Sequence, residues 1–422
     1  MKSILPWQQP NNTEGKAWEM IQAQFEQAPG AYHPFPWASW IDGVDRRLLP
    51  HAPPVRTEQQ SPRATVCQHI RALEHLPIFQ AAGITDLFWS HCVSTQYHGE
   101  GIRLHPFPLF PVRCSDQPLS SRPLPAAQRP LLYSYIGFHQ PVLYGRDTRL
   151  WLMELPARDD VLISARQEWH FEQQVYRQQV HGQHPDPLCL QKRRQEGREY
   201  ALALQQSCFA LCPSGAGPNS IRLWEALGFG AIPVILSDKL RLPGPMDLWR
   251  QAALFIEEDQ VAIASLPEQL QQLRWDTDRL AAMQSAGQQL WQRYGLPGFV
   301  CDVVDYLADQ EGFLLAQARE RLLMRNGETD AGRGGRPLEL LTQDDPSELP
   351  LQVKRWLRSA GRAPQLLIQL LDTRPLKQQQ LLWGSAVRLC GDLLRPHGIT
   401  WELSSPSPDL EQLAAAIQGP VG

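Results

Sequence analysis

Along the chain, short continuous apolar runs alternate with segments whose apolar residues recur every three or four positions, a pattern that predicts an α/β protein. From Thr65, "TVCQHIRALEHLPIFQAAG" carries apolar residues near helical period and stops at Gly83, after which "ITDLFWS" has the aromatic and β-branched content of a strand. "LLYSYIGF" at 131–138 and "DVLISAR" at 160–166 predict two more strands, with a helix-compatible "DTRLWLMEL" between them. A first α/β domain is therefore expected over 1–165. Its first 60 residues, rich in Pro and Trp as in "AYHPFPWASWID", should hold short elements broken by turns.

The second half repeats the pattern more cleanly. "KRRQEGREYALALQQ" predicts a helix, "SCFALCP" a strand, "NSIRLWEALGFG" a helix, and "AIPVILS" a strand apolar on both faces, as buried parallel strands are. "AALFIEE" then predicts a strand, and "LPEQLQQL" and "TDRLAAMQSAGQQLWQRY" predict helices. A second α/β domain is expected over 166–325, facing the first across a crevice. The polar, Gly-rich "NGETDAGRGGRP" at 326–337 reads as a linker. Beyond it, "PQLLIQLLD", "KQQQLLWGSAVRLCGDLLRPHG" and "ITWELS" predict a βαβ unit in a small domain over 338–422.

Composition narrows the function classes. At 422 residues and 43% apolar, the chain can build two or three cores. A net charge of −4 with scattered basic residues supplies no field for nucleic acid or an anionic membrane. The start, "MKSILPWQQPNNTEGKAW", lacks the form of a signal peptide, and no uncharged apolar stretch reaches about 18 residues. A soluble, cytoplasmic protein with no integral membrane segment is expected. The eight cysteines form no CxxC pair, so reduced thiols fit that compartment.

The chemistry concentrates in "CPSGAGPNSIRLWEALGFGAIPVILSD", Cys212 to Asp238. A strand runs into a loop with Ser214, Gly215 and Gly217, then into a helix entered through Asn219 or Ser220, both good N-cap types. A helix N-terminus beside such a loop presents free N–H groups and positive dipole to a phosphate. Arg222 in the first turn can add a bidentate contact, and Glu225, one turn further on the same face, can accept from a ribose diol. Gly228 and Gly230 end the helix, and the next strand carries Asp238 at its carboxyl edge, where open α/β sheets place ligands. An ordinary surface pair would also set Arg222 and Glu225 three apart. The spacing is neither GxGxxG nor GxxxxGK[ST], which disfavours hydride transfer and NTP hydrolysis.

The order of Tyr200, Ser207, a Phe209-containing strand, Pro213, Gly215, Ser220-x-Arg222, Glu225-Ala226, "GAIPVI", Asp238 and Leu242-Pro243 resembles the signature of exostosin-type glycosyltransferases. The resemblance implies a GT-B architecture, two Rossmann-like domains facing a cleft, with the nucleotide sugar held mainly by the second. It implies that Ser220 and Arg222 contact the diphosphate, Glu225 the ribose, and that Asp238 lies near the donor sugar. More weakly, "RPLLYSYIGF" and "YGRDTRLWL" are similar to an upstream family segment, which would let Arg146 or Arg149 reach the donor phosphates. The implied activity is inverting transfer from a nucleotide sugar, with a UDP-sugar expected, to a polysaccharide or glycolipid acceptor. A non-catalytic nucleotide-sugar-binding scaffold or sensor, and a nucleotide-sugar hydrolase, stay open as alternatives.

Inverting transfer needs a base on the acceptor side. His91, directly after "ITDLFWS", is the first candidate, with Glu100 and Asp42 as rivals. The one DxD triplet, Asp276-Thr277-Asp278, precedes a helix and reads as an N-cap, so neither metal nor other cofactor is expected. Trp and Tyr in "YHPFPWASWID" can pack in a core or stack on acceptor sugars. The last domain resembles, faintly, the small α/β anti-sigma-antagonist (STAS) type, without a Ser at the helix start, which implies docking of a protein partner rather than a phosphorylation switch; a generic βαβ cap stays open as the alternative.

Overall fold

The computed structural model describes residues 5–9, 11–25, 30–45, 63–94, 96–99, 101–116, 123–140, 144, 146–166, 187–314, 316–317, 320, 338–343, 349–350, 353, 365–371, 376–395, 400–404 and 408–418. They fall into two compact units, Met1–Tyr97 with Leu104–Cys301, and His98–Arg103 with Asp302–Gly422.

In the first unit, α1 (Thr13–Gln24) and α2 (Trp37–Asp45) precede β1 (Arg63–Cys67), α3 (Leu76–Ala81) and β2 (Ile84–Trp89). Strands β1 and β2 are parallel, ending in register at Cys67 and Trp89. The segment from Thr65 is thus not a continuous helix. Ala64 to Cys67 are all buried, as a strand packed on both faces requires, and the helical period begins only after them. Trp37, fully buried on α2, packs 4.3 Å from Phe79 and donates to Thr65 Oγ1, so the N-terminal aromatics that could be read as sugar platforms include a core residue. Helix α4 (Val112–Asp116) completes this part; the short antiparallel pair of β3 (His98–Gly99) with β4 (Ile102–Pro106) falls at the chain segment His98–Arg103 that is grouped with the second unit.

The rest of the first unit is one parallel sheet. Its strands are β5 (Leu131–Gly137), β6 (Val161–Ala165), β7 (Ser207–Pro213), β8 (Ile232–Leu236) and β9 (Leu254–Phe255), in the order β6-β5-β7-β8-β9. The connecting helices are α5 (Thr148–Met153), α6 (Pro187–Gln206), α7 (Ile221–Phe229), α8 (Met246–Ala252), α9 (Gln260–Ala264), α10 (Leu266–Arg274) and α11 (Thr277–Tyr294). Successive strand residues point to opposite faces: Ala210, Cys212 and Ile235 enter the core with α7 and α8, while Phe209, Leu211 and Val234 enter the core with α9 and α10.

A boundary at 165 therefore cuts through a sheet. β5, assigned with β6 by sequence order to the N-terminal domain, pairs with β6 on one side and with β7 on the other, Leu131 opposite Ser207 and Ser134 opposite Ala210, and Ser207 Oγ donates to Ser134 Oγ at 2.7 Å. Strand pairing is non-local and leaves no mark in hydrophobic period. Arg129, fully buried, closes the far end of the same sheet: its guanidinium donates to the carbonyls of Leu204, Ser207 and Phe229 at 2.9–3.1 Å, satisfying acceptors where α6 and α7 end.

In the second unit, β10 (Leu338–Gln343), β11 (Gln365–Leu371) and β12 (Thr400–Ser404) form a parallel sheet in that order, with helices Leu376–Leu394 and Pro408–Gln418. Trp383, Trp401, Ile368 and Leu410 form its core. β10 adds a strand to the expected βαβ unit, and the expected linker, 326–337, lies outside the described residues.

Candidate functional site

The loop after β7 and the first turns of α7 carry the site. Ser220 precedes α7 in extended conformation, φ −121° and ψ 130°, and no side chain caps the helix. Asn219 does not cap it because both ends of its amide are used: Nδ2 donates to the Ser90 carbonyl at 2.6 Å and Oδ1 accepts from Trp224 Nε1 at 3.0 Å. Asn219 thereby ties the loop to the end of β2. At the other end of α7, Gly230 takes φ +72°, the left-handed conformation that terminates the helix as expected.

A cavity of about 370 Å³ opens where the carboxyl ends of β1, β2, β5 and β7 meet α7. Gln68 and His69 line it from β1, His91 from β2, Phe138 from β5, Gly215 and Gly217 from β7, and Ser220, Arg222 and Glu225 from α7. Its size is that of small-molecule sites, and it sits on the sheet edge that α/β folds use for ligands.

Its charge is mostly cationic. Arg149 on α5 donates to the Ser214 and Phe138 carbonyls at 2.9 and 3.1 Å and stacks 4.3 Å over the Tyr144 ring, which fixes its fork beside Gly215. Arg222 is 7% exposed; it donates to the carbonyls of Leu211 and Ile136 and lies 4.6 Å from the Tyr135 ring centroid, with Nε buried and unpartnered among the described residues. Arg113, Arg166 and Arg193 also line the cavity. Glu225 is 2% exposed and accepts from the Arg113 amide at 2.9 Å. Burial raises its pKa, against the Arg113 amide, the Tyr200 hydroxyl and the nearby guanidinium groups, which favour the carboxylate.

Residues 154–272 match the model of the Exostosin GT47 domain. The chain carries an exostosin-type domain. Exostosin-1 of Drosophila melanogaster is 30% identical over 189 residues, 44% of this chain and 23% of the relative. A probable glucuronosyltransferase, GUT1 of Oryza sativa subsp. japonica, is 46% identical over 63 residues, 15% of each chain. A probable glucuronoxylan glucuronosyltransferase, IRX7 of Arabidopsis thaliana, is 40% identical over 73 residues, 17% of this chain and 16% of the relative. The chain thus spans less than a quarter of the length of these relatives.

The exostosin match covers β6 through most of α10 and contains Gly215, Ser220, Arg222 and Glu225, which share the cavity. Arg149 joins them from outside the matched segment. Three other expected donor-binding residues do not line the cavity: Arg146 pairs with Asp238 at 2.7 Å, and Ser214 Oγ donates to Glu258. Each of Asp238 and Glu258 also donates its main-chain amide to the other's carboxylate, Glu258 N to Asp238 Oδ1 at 3.0 Å and Asp238 N to Glu258 Oε2 at 3.3 Å, so this network braces the β7 and β8 ends beside the cavity.

Of the candidate bases, Glu100 lies outside the described residues. His91 lines the cavity, but its Nδ1 is buried without a partner among the described residues and abuts the Gly217 backbone. Burial pushes its pKa down to about 3, assisted by neighbouring His69 and opposed by a main-chain bond to Gln68. The imidazole is therefore neutral and a poor proton acceptor. Asp42 lines the cavity too, next to His69 at 3.4 Å, both 10% exposed. His69 stands at the carboxyl end of a strand, although the hydrophobic period around it is that of a helix.

Behind this wall, the buried Glu14 accepts from the Ala38 amide at 3.1 Å and the Gln68 amide at 3.1 Å, joining α1, α2 and β1. Burial pushes its pKa up to about 8, against those bonds. Asp276 of the DxD triplet caps α11, accepting from the Arg279 amide at 3.0 Å. Among the described residues, no group of three His, Cys, Asp or Glu side chains is arranged to hold a metal ion, and no helix is long and apolar enough to cross a membrane.

Proposed function

We propose that the protein is a nucleotide-sugar-dependent glycosyltransferase of the GT-B kind that transfers a sugar, with inversion, to a hydroxyl of a glycan or glycolipid. The observation that carries this reading is the uncapped N-terminus of α7 opening, between Arg149 and Arg222, into a cavity on the carboxyl edge of a parallel sheet. Such a site complements a nucleoside diphosphate, and its fixed positive groups stabilise the charge that grows on the leaving phosphate oxygen as the bond to the anomeric carbon breaks. Glu225 stands one turn along α7, and its proposed role is to accept from the ribose. Two of the relatives are named as probable glucuronosyltransferases, which makes a UDP-hexuronate the first donor to try.

Ser220 faces the same cavity and is assigned to the diphosphate with Arg222. Arg222 does more than bind, since its guanidinium also holds the carbonyls of β5 and β7. The test is release of UDP from UDP-glucuronate, UDP-glucose and UDP-N-acetylglucosamine, with and without oligosaccharide acceptors and EDTA. Release stimulated by an acceptor supports a transferase. Binding without release supports the scaffold reading, and release indifferent to every acceptor supports a hydrolase.

A further inference from the structure

We propose that Asp42 is the base that takes the acceptor hydroxyl proton, held in place by Gln8 and His69 as positioning residues. The inference rests on the transferase reading above and adds the residues of the acceptor side.

It follows from the direction of the hydrogen bonds. The Thr13 main-chain N–H can only donate, and it donates to Gln68 Oε1 at 2.6 Å. Gln68 must therefore turn Nε2 outward, where it donates to Gln8 Oε1 at 2.9 Å. Gln8 in turn presents Nε2 to Asp42 Oδ2. On the other side, the Arg71 amide donates to His69 Nδ1 at 3.1 Å, which leaves the proton of a neutral His69 on Nε2, 3.4 Å from Asp42 Oδ1. Two chains of fixed polarity, each starting at a main-chain amide, end as donors on the two oxygens of one carboxylate. Asp42 is thus held as an acceptor at the cavity wall, and each oxygen keeps a further lone pair for a ligand.

His69 cannot itself serve as the base, because both ring nitrogens are committed. His91 offers only a nitrogen sealed against Gly217. In the proposed step the acceptor O–H proton passes to Asp42 as the hydroxyl oxygen bonds the anomeric carbon. The anomeric carbon–oxygen bond breaks, and its electron pair leaves on the diphosphate near Arg149. Asp42 ends as the neutral acid and the donor as nucleoside diphosphate.

Asp42→Asn preserves size and tests the step; UDP serves as the binding probe, and UDP release from the three UDP-sugars, water replacing the acceptor, serves as the rate. The expected result is a UDP-induced melting shift equal to wild type and release slowed by about 100-fold or more, the scale of general-base loss. His69→Phe should lower turnover with an unchanged KM for the donor, and His69→Gln, which keeps a donor toward Asp42, should recover part of it. Wild-type release by Asp42→Asn overturns the proposal, as does a wild-type protein that binds UDP and releases none. A wild-type protein that shows neither UDP shift nor release overturns the transferase reading itself.

Discussion

Gly217 lies directly against His91: a Cβ at 217 would fall 2.5 Å from the imidazole Nδ1. The loop after β7 and the end of β2 therefore meet at a residue that must lack a side chain, and the cavity depends on that approach. Gly217→Ala is expected to cost about 1–3 kcal/mol, the scale of overpacking a buried contact. It should also weaken nucleotide binding, because the loop that carries Gly215 and Ser220 must move. Urea unfolding and a UDP titration check both; unchanged values would mean that the loop relaxes freely.

Arg222→Ala should destabilise the fold as well as weaken ligand. Its removal takes the guanidinium donor away from the Leu211 and Ile136 carbonyls on adjacent strands. Each acceptor left unsatisfied costs about 1–3 kcal/mol. A shift in urea midpoint is the readout, and a variant as stable as wild type would mean that water replaces the guanidinium.

Arg146→Ala is expected to do little. Arg146 and Asp238 form a partly exposed pair at 2.7 Å, with side chains 43% and 35% exposed, and such pairs contribute about 0–1 kcal/mol. Arg146 does not line the cavity, so UDP affinity should stay at the wild-type value. A large loss of affinity would return this pair to the donor site.

Glu14 makes stability depend on pH. Its pKa is about 8 in the fold, raised from 4.5 mainly by burial. Between these values the unfolded chain has released a proton that the folded chain keeps, so its contribution falls as pH rises from about 4.5 to 8 and levels off above. Glu14→Gln should flatten that decline. The check is the difference in melting temperature between wild type and variant across the same range; a constant difference would mean that Glu14 is ionised in both states.

The local elements were legible wherever period, caps and breakers agree. α7 and β8 stand where "NSIRLWEALGFG" and "AIPVILS" put them, with Gly230 as the stop. Two things were not legible, for different reasons. "TVCQHIRALEHLPIF" joins a buried strand ending at Cys67 to a helix starting at Leu76 with no Gly or Pro between them, the first breaker being Pro77 inside the helix's first turn, which hid His69 at a strand end. The pairing of β5 with β7 joins residues about 76 positions apart, such as Leu131 and Ser207, and no local pattern records it. Of the site, the Gly215–Glu225 stretch was readable because the residues are neighbours in sequence. The Asp42–His69 contact, the Arg146–Asp238 pair and the double duty of Arg222 depend on distant chain segments.

The proposed diphosphate site lies at the N-terminus of α7, flanked by Arg149. Calorimetric titration of UDP into wild type, Arg149→Ala and Arg146→Ala tests it most directly. The expected result is binding to wild type that survives EDTA, a loss of about tenfold or more in Arg149→Ala, as for a charge-assisted contact of about 1.4 kcal/mol or more, and no change in Arg146→Ala. No binding to wild type, or equal binding by all three proteins, would contradict it.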